Sequence, residues 1–322
     1  MILAGIDEAG YGPLLGPLVV GCCAFEIETE KPEEFPCLWT RLKQAVSKRR
    51  SPNGKKLHVN DSKAVYSPSI GLKELERSVL AISQTLHGPA ADLSEFLRQS
   101  APHALPDLAG YSWYQPPDSE TFPISQDRIS VGISTNALGV AMRQGGVSCV
   151  HLNARLVCER QLNAMFNATR NKANALFSIS AIHLDYLLRS YGHRGLTIVC
   201  DRQGGREHYG PLLRMMFEDW ALEVTHEADG RGEYLLRRDG FVVRIVFWEK
   251  AEEQCFSTAT AAMLSKYLRE ALMGRFNAFW AAQLPQVSPT AGYYNDGLRF
   301  LRDIAPKRTA LGITDAQLIR CR

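Results

Sequence analysis

Two acidic residues interrupt an apolar run almost at the start of the chain. Asp7 and Glu8 follow the strand-like segment 2–6, and a turn rich in glycine and proline begins directly after them at Gly10. Adjacent carboxylates beside a tight glycine turn can gather the hard oxygen ligands that Mg²⁺ prefers. The same pattern is also typical of a strand end, where acids are solvated and glycine and proline form the turn. This stretch alone leaves both interpretations open.

Two further acidic positions also lie where predicted strands end. Asp201 follows the short apolar run 196–200 and precedes two glycines, and the acidic cluster 249–254 separates a predicted strand from a predicted helix. Three acidic points at strand ends suit a site at the edge of a mixed sheet. Together they favour a metal site over solvated surface.

Composition narrows the class of protein without defining its function. The chain has 322 residues, 45% of them hydrophobic, which suffices for one large domain with additions or for two domains. Its 37 Lys and Arg residues nearly balance 34 Asp and Glu residues, so any nucleic-acid site must be a local groove. The eight cysteines form no C-x-x-C pair, which predicts free thiols and a reducing compartment. With no signal peptide and no apolar run of about 20 residues, we expect a cytoplasmic protein without a membrane segment.

Hydrophobic periodicity and turn residues predict the elements that must position these acids. Glycine, proline and polar clusters separate them. In chain order the predictions are a hairpin of strands over 2–6 and 17–26, a basic loop over 47–68, a helix over 71–86, an irregular segment over 88–128, helical structure over 135–190, a strand over 196–200, three antiparallel strands over 221–250, a helix over 255–273 and a loop over 290–297.

Five segments, in the right order, resemble motifs of the ribonuclease HII family. The two most specific are GIDEAGYGPLLGPLVV, which resembles the N-terminal signature, and NDSK, which resembles the Asp-Ser-Lys motif. IVCDRQGG is similar to the strand that carries the third metal-binding acid. KAEEQCFSTATAAMLSKYLRE is similar to the segment that carries the fourth, and AGYYND to a Gly-Tyr-Pro-Asn-Asp loop.

The resemblance implies an α/β fold with a ribonuclease H-like mixed β-sheet flanked by helices, together with insertions. It implies a catalytic domain over 1–273, with an irregular insertion at about 84–130. It also implies a C-terminal helical and loop segment over 274–322 that contacts the substrate.

The resemblance further implies a site for two divalent cations, either Mg²⁺ or Mn²⁺. The four expected ligands, which are also the expected catalytic residues, are Asp7, Glu8, Asp201 and Glu252. The family normally has Asp where this chain has Glu252, and the extra methylene shifts the carboxylate by about one bond length, which Mg²⁺ tolerates poorly. Glu249 and Glu253 are the alternatives if the alignment slips.

A nucleic-acid site is also implied by the resemblance. Backbone groups of the turn would recognise a ribose 2′-hydroxyl, two polar side chains would bind phosphates, and a tyrosine would stack on a sugar. The expected residues are, in that order, Gly10, Tyr11 and Gly12, then Ser62 and Lys63, then Tyr293, with Tyr294 as a rival for the last role. The family has a basic residue where this chain has Tyr11, so one phosphate contact is lost.

The expected function is that of a metal-dependent endonuclease, which hydrolyses the RNA strand of RNA–DNA hybrids or ribonucleotides embedded in duplex DNA. Such a hybrid or ribonucleotide-containing duplex is the expected partner, and the expected oligomeric state is a monomer. Tyr11 and Glu252 motivate an alternative, a catalytically impaired ribonuclease H-fold protein that binds nucleic acid without cleavage.

Overall fold

The computed structural model describes residues 1–29, 36–52 and 54–321. Asn53, in the predicted basic loop, and Arg322, in the predicted C-terminal segment, lie outside the described residues. A sheet of seven strands forms the centre, and two apolar clusters of buried side chains pack against it.

Nine strands and thirteen α-helices are found in the described residues, with short 3-10 turns at 102–104, 112–114 and 192–194. The strands are β1 (Ile2–Ala9), β2 (Leu18–Ile27), β3 (Val46–Ser47), β4 (Leu57–His58), β5 (Val147–Val157), β6 (Leu196–Asp201), β7 (Ala221–Ala228), β8 (Arg231–Arg238) and β9 (Phe241–Trp248). The helices are α1 (Leu38–Arg41), α2 (Ser62–Val65), α3 (Lys73–His87), α4 (Leu93–Ser100), α5 (Leu105–Ala109), α6 (Arg128–Gly145), α7 (Glu159–Thr169), α8 (Lys172–Tyr191), α9 (Gly210–Met216), α10 (Ala251–Gln254), α11 (Phe256–Gln283), α12 (Tyr294–Ala310) and α13 (Asp315–Leu318).

The order of strands brings the acidic strand ends together. The order is β5-β2-β1-β6-β9-β8-β7, with β1, β6 and β9 parallel and the outer pairs antiparallel. Ile6 is opposite Cys200, so Asp7 and Asp201 follow at the same end of neighbouring strands. Asp201 is in turn opposite Trp248, after which the acidic cluster begins. The predicted mixed sheet flanked by helices is confirmed.

Helix α11 packs closely across β1 and β2 because both sides of the contact are small. Gly5 and Gly21 lie beneath the first turns of the helix, which carry Ser, Thr and Ala. Thr258 donates a hydrogen bond to the Val199 carbonyl at 2.9 Å, and Ser265 donates one to the Asp7 carbonyl at 3.0 Å. The predicted close packing is confirmed. The helix extends beyond the predicted end at 273, so the predicted division between 273 and 274 falls inside it.

Four predictions of secondary structure were wrong in whole or in part. The predicted loops over 47–68 and 290–297 contain helix α2 and the start of helix α12. Residues 147–157, predicted as part of a helical region, form β5 at the edge of the sheet. Only one face of β5 is tightly buried. Its apolar residues lie at spacings that are also compatible with a short helix, so the sequence pattern does not distinguish the two. The segment predicted as an irregular insertion contains helices α4 and α5, and Asp92 caps α4 by accepting a hydrogen bond from the Glu95 amide at 2.7 Å.

Two expectations about the whole chain can be compared with the structure. All eight cysteines are free thiols, as predicted, and six of them are buried. In the described part of the chain, none of the helices combines the length and the apolar character that a membrane crossing needs.

The contact between α11 and β1 gives a test of the fold. A Cβ atom added at Gly5 would lie 2.1 Å from the Thr258 nitrogen, so Gly5→Ala must separate strand and helix. We expect a loss of unfolding free energy of about 1–3 kcal/mol or more, measured by urea denaturation. Gly132→Ala is the control, because nothing lies within 4 Å of that position in α6 and alanine favours a helix by about 1 kcal/mol. Equal effects of the two substitutions would contradict the packing described.

Candidate active site

Four acidic side chains from three segments meet at one edge of the sheet. Asp7 and Glu8 lie near the end of β1, Asp201 ends β6, and Glu252 lies in the short helix α10 that follows β9. Asp7 and Glu252 are only 8% and 7% exposed. This acidic cluster contains the four predicted ligands, and the charges of neighbouring acids act on the carboxyl groups of Asp7, Glu8 and Glu252.

Hydrogen bonds fix part of the acidic cluster and leave part of it unsatisfied. Asp7 Oδ1 accepts from the Glu8 amide at 2.6 Å, and Asp201 Oδ1 accepts from the Ala251 amide at 3.1 Å. Asp201 and Glu252 lie close enough for each carboxyl group to shift the pKa of the other. The Oε2 atoms of Glu8 and Glu252 are buried without any partner. Buried oxygens of this kind are costly unless a cation or a donor satisfies them.

Burial raises the pKa of every carboxyl group in the acidic cluster, and the charges of neighbouring acids raise it further for Asp7, Glu8 and Glu252. Burial is the largest cause in each case. It raises the pKa of Glu8 to about 8, with further increases from the charges of Asp201 and Glu252. The pKa of Glu252 is raised to about 7 by burial and then by Asp201. The pKa values of Asp7 and Asp201 are raised as well. A nearby positive charge would therefore be strongly stabilising here.

Among the three neighbouring glutamates, the structure brings Glu252 into the cluster. Glu249 is exposed and pairs with Arg202 at 3.3 Å, and Glu253 is exposed on the outer side of α10. Lys250 has a left-handed conformation with a φ of 56°, which ends β9 sharply and starts the short helix. Glu252 consequently occupies the position that the sequence predicted for the fourth acid.

The residues of the acidic cluster fit a hard divalent cation. All the donors are carboxylate oxygens, two of them unsatisfied, which suits Mg²⁺ or Mn²⁺ better than a thiophilic metal. The cluster is nevertheless wider than a closed site. Within the described residues, the group whose ligand atoms all lie within 4.8 Å of one another is instead Cys22, His151 and His183.

The glycine turn, residues 10–17, leads from the acidic cluster to β2. Two buried arginine side chains hold its backbone by hydrogen bonds. Gly10 and Gly16 have φ values of 89° and 86°, a conformation that favours glycine. Arg269 of α11 donates to the carbonyls of Pro17 at 2.6 Å and Leu15 at 3.0 Å. Arg320 donates to the carbonyls of Gly10 and, at 3.1 Å, Tyr11.

Tyr11 packs against the loop that follows β6. A Cβ atom added at Gly204 would lie 3.3 Å from its hydroxyl, and Ala173 lines the same contact. Burial and then the charge of Glu8 raise the pKa of the Tyr11 phenol, whereas Arg206 and Arg320 act in the opposite direction. Tyr11 therefore lies beside both the acidic cluster and two guanidinium groups. Gly12 is open, with nothing within 4 Å of an added Cβ.

The predicted phosphate-binding pair borders the acidic cluster. Ser62 and Lys63 begin α2, which Asp61 caps by accepting a hydrogen bond from the Lys63 amide at 3.0 Å. Burial raises the pKa values of Glu8 and Asp201, and the Lys63 charge opposes that effect on both. The exposed Lys63 side chain thus lies near enough to act on the two carboxyl groups.

Tyr293 lies on the same surface as the glycine turn. It precedes α12, its side chain is 55% exposed, and the adjoining Gly292 carbonyl accepts hydrogen bonds from Leu14 at 2.7 Å and Leu15 at 3.1 Å. Burial and Glu270 raise the pKa of the Tyr66 hydroxyl, and Tyr293 adds to this effect, so the two phenols are neighbours. Tyr294 is 40% exposed. The roles of both tyrosines stay predictions.

Sequence reasoning missed several residues that build the site. Arg320 and Glu159 lie far from the recognised motifs, and Arg206 lies just outside one of them. Glu159 is buried and accepts hydrogen bonds from the Gly16 amide at 3.1 Å and the Tyr114 hydroxyl at 2.6 Å. Burial raises its pKa to about 6. Nothing in the local sequence marks these residues, because each acts through a contact with a distant segment.

Fold and site together define an α/β protein in which four carboxyl groups cluster at the ends of the central strands. Over 60 residues, which are 19% of this chain, the sequence is 48% identical to ribonuclease HII of Methanocaldococcus jannaschii, and the match spans a quarter of that relative's length. This supports a ribonuclease HII-like family for the chain, as its motifs predicted.

Similarity to solved structures is more distant. Ribonuclease HII in its complex with PCNA from Archaeoglobus fulgidus has 16% identity and a TM-score of 0.45, with 100% of this chain and 95% of that chain covered. Ribonuclease H2 from Pyrococcus horikoshii has 14% identity and a TM-score of 0.45, with 99% and 92% covered. A comparison with models of protein families gave no match.

The repulsion within the acidic cluster predicts that one acid can be replaced with a gain in stability. Asp7→Asn removes one buried carboxyl group, while its amide oxygen can still accept the bond from the Glu8 amide. Without divalent cations we expect it to raise the free energy of unfolding by roughly 1–3 kcal/mol, as measured by chemical denaturation. The exposed Glu249→Gln is the control, with little change expected. A less stable Asp7→Asn protein would show that the four carboxyl groups do not repel one another in the fold.

Proposed function

We propose that the chain is a metal-dependent endonuclease that hydrolyses the RNA strand of RNA–DNA hybrids or ribonucleotides embedded in duplex DNA. One observation carries the proposal: four carboxyl groups meet at the edge of the sheet, with two buried oxygens unsatisfied, beside the glycine turn and Lys63. The match to ribonuclease HII over 60 residues supports it.

Each group of residues has a separate task in this proposal. Asp7, Glu8, Asp201 and Glu252 hold the metal, for which the sequence resemblance predicts a two-metal site of Mg²⁺ or Mn²⁺. When bound, such cations supply Lewis acidity for the attack of water on a phosphodiester and offset the charge on the leaving oxygen. The acidic cluster keeps its position because β1, β6 and β9 are parallel neighbours, so the carboxylates need little reorganisation.

The surface around the acidic cluster offers the contacts that a nucleic acid requires. Gly12 leaves the turn open for a ribose to approach the backbone, and Lys63 supplies a charge for a phosphate. The exposed Tyr293 offers an aromatic face for a sugar. Arg206, beside Tyr11, supplies positive charge close to the position where the family has a basic residue.

The alternative of a binding protein without catalysis is not favoured. Glu252 pointing away from the other acids would have favoured it, whereas Glu252 is buried and lies close enough to Asp201 to shift its pKa. The direct test is incubation of the purified chain with a labelled RNA–DNA hybrid and with a duplex that contains one ribonucleotide. We expect cleavage with Mg²⁺ or Mn²⁺ and none with a chelator. Intact substrate under every metal, with the hybrid still bound, would overturn the enzymatic proposal.

Glu252 gives the sharpest test of the metal ligands. Glu252→Gln keeps the size of the side chain but removes its charge, so we expect cleavage to fall by at least about a hundredfold while hybrid binding is kept. Glu253→Gln is the matched control, since its side chain is exposed on the same helix. If the two variants cleave equally well in a gel assay, Glu252 is not a ligand.

Tyr11 tests whether the turn faces the nucleic acid. Tyr11→Arg adds a charge where the family has one, so we expect tighter hybrid binding and a salt dependence steeper by about one unit of slope, measured by fluorescence anisotropy. Ile129→Arg adds the same charge at a 76% exposed position on α6 and serves as the control. An unchanged slope for Tyr11→Arg would mean that position 11 does not face the substrate.

A further inference from the structure

A second group of potential metal ligands lies on the face of the sheet covered by α8. It consists of Cys22 on β2, His151 on β5 and His183 on α8, and the ligand atoms of the three side chains all lie within 4.8 Å of one another. Cys22 and His183 are buried, and His151 is partly buried. The three residues come from three different elements. Their convergence is therefore a result of the tertiary fold and not of the repeat of a single helix or strand.

One histidine of this group is oriented by a hydrogen bond, and the other has a buried nitrogen without a partner. His183 Nε2 lies 2.9 Å from the Val20 carbonyl, which can only accept, so Nε2 carries the proton and Nδ1 keeps a lone pair. A backbone carbonyl often orients a metal-binding imidazole in this way. His151 Nε2 is buried and has no partner at all.

Two further observations support binding by the neutral imidazoles. The His151 ring stacks on Tyr186 with 4.5 Å between centroids, which limits the orientations of the ring. Burial lowers the pKa of His183 to about 3 and that of His151 to about 4, with smaller contributions from His87 in the second case. Both rings are therefore uncharged at neutral pH, and the uncharged imidazole, with one N–H and one free lone pair, is the form that binds a metal.

A cavity reaches the two histidines of the site. It has a volume of about 420 Å³ and is lined by His151 and His183 together with His87, His103 and Arg155. No carboxylate lines it in the described part of the chain, so it offers nothing to Mg²⁺. A thiol and two imidazoles are the donors that Zn²⁺ selects, and the open side leaves room for water as the fourth ligand.

We propose that Cys22, His151 and His183 form a binding site for Zn²⁺ or a similar thiophilic divalent cation, separate from the acidic cluster. On binding, the S–H bond of Cys22 breaks, the thiolate bonds to the metal, and the proton leaves through the cavity to solvent. The metal links the edge strand β5 to β2 and α8, and so stabilises that edge of the sheet against opening.

Cobalt spectroscopy tests the site directly, because a Co²⁺–thiolate bond absorbs light and a carboxylate site gives no such band. The protein used is the full chain with Cys37→Ser and Cys321→Ser, which remove the two exposed thiols. It is freed of metal and then titrated with Co²⁺ in the presence of excess Mg²⁺. We expect a thiolate band that saturates at one Co²⁺ per chain, is bleached by Zn²⁺, and accompanies a rise in melting temperature. Failure to observe this band at saturating Co²⁺ would overturn the proposal.

Substitutions test whether the three residues produce the Co²⁺–thiolate band. Cys22→Ser should abolish it, whereas Cys23→Ser should keep it, because Cys23 is equally buried but packs on the opposite face of the sheet. His151→Gln, at a partly exposed position, should weaken Co²⁺ binding by roughly tenfold or more and decides the question if Cys22→Ser does not fold. Asp7→Asn should leave the band unchanged, which separates this site from the proposed nuclease site. A band of equal strength and affinity in His151→Gln would contradict the proposal.

Discussion

The buried guanidinium of Arg269 is the contact on which the shape of the glycine turn depends. It is 1% exposed and donates to carbonyls of Pro17, Leu15 and Ala291. A buried charge is costly unless all its donors are satisfied, so the turn and the loop before α12 must both be in place. A Cβ atom at Gly16 would lie 2.8 Å from the Arg269 Nη1 atom, which explains the glycine there. Helix, turn and loop therefore form one cooperative unit.

The acidic cluster beside this unit has the opposite character. Its backbone is fixed by neighbouring strands, whereas its side chains repel one another and leave two oxygens without partners. The backbones of Asp7 and Asp201 cannot move apart without disturbing the parallel pairing of β1 with β6. A rigid frame around unsatisfied groups is typical of sites where function, and not stability, selects the residues. The fold thus supplies the stability that the acidic cluster lacks.

The sequence predicted the parts of the structure that depend on local patterns. The strands that carry Asp7 and Asp201, the three antiparallel strands and the long helix all have clear periodicity or turn residues. β5 was missed because its apolar residues, such as Leu152 and Leu156, suit a helix as well as a strand over so short a range. The four acids could be named from motifs, but the contact of Glu252 with Asp201 is tertiary. No feature of the local sequence identifies Arg320 as part of the site.

The contact between Arg320 and Gly10 links residues 310 positions apart, and this has a consequence for the order of assembly during synthesis. Asn163 anchors the same segment through hydrogen bonds with the Ile319 carbonyl at 2.8 Å and the Cys321 amide at 2.7 Å. A nascent chain that has emerged through α11 already contains all four carboxylates, yet its turn still lacks this clamp. During vectorial synthesis the strands can therefore pair before Arg320 is available to lock the turn. The emerging polypeptide holds its acids in place before the surrounding surface is complete.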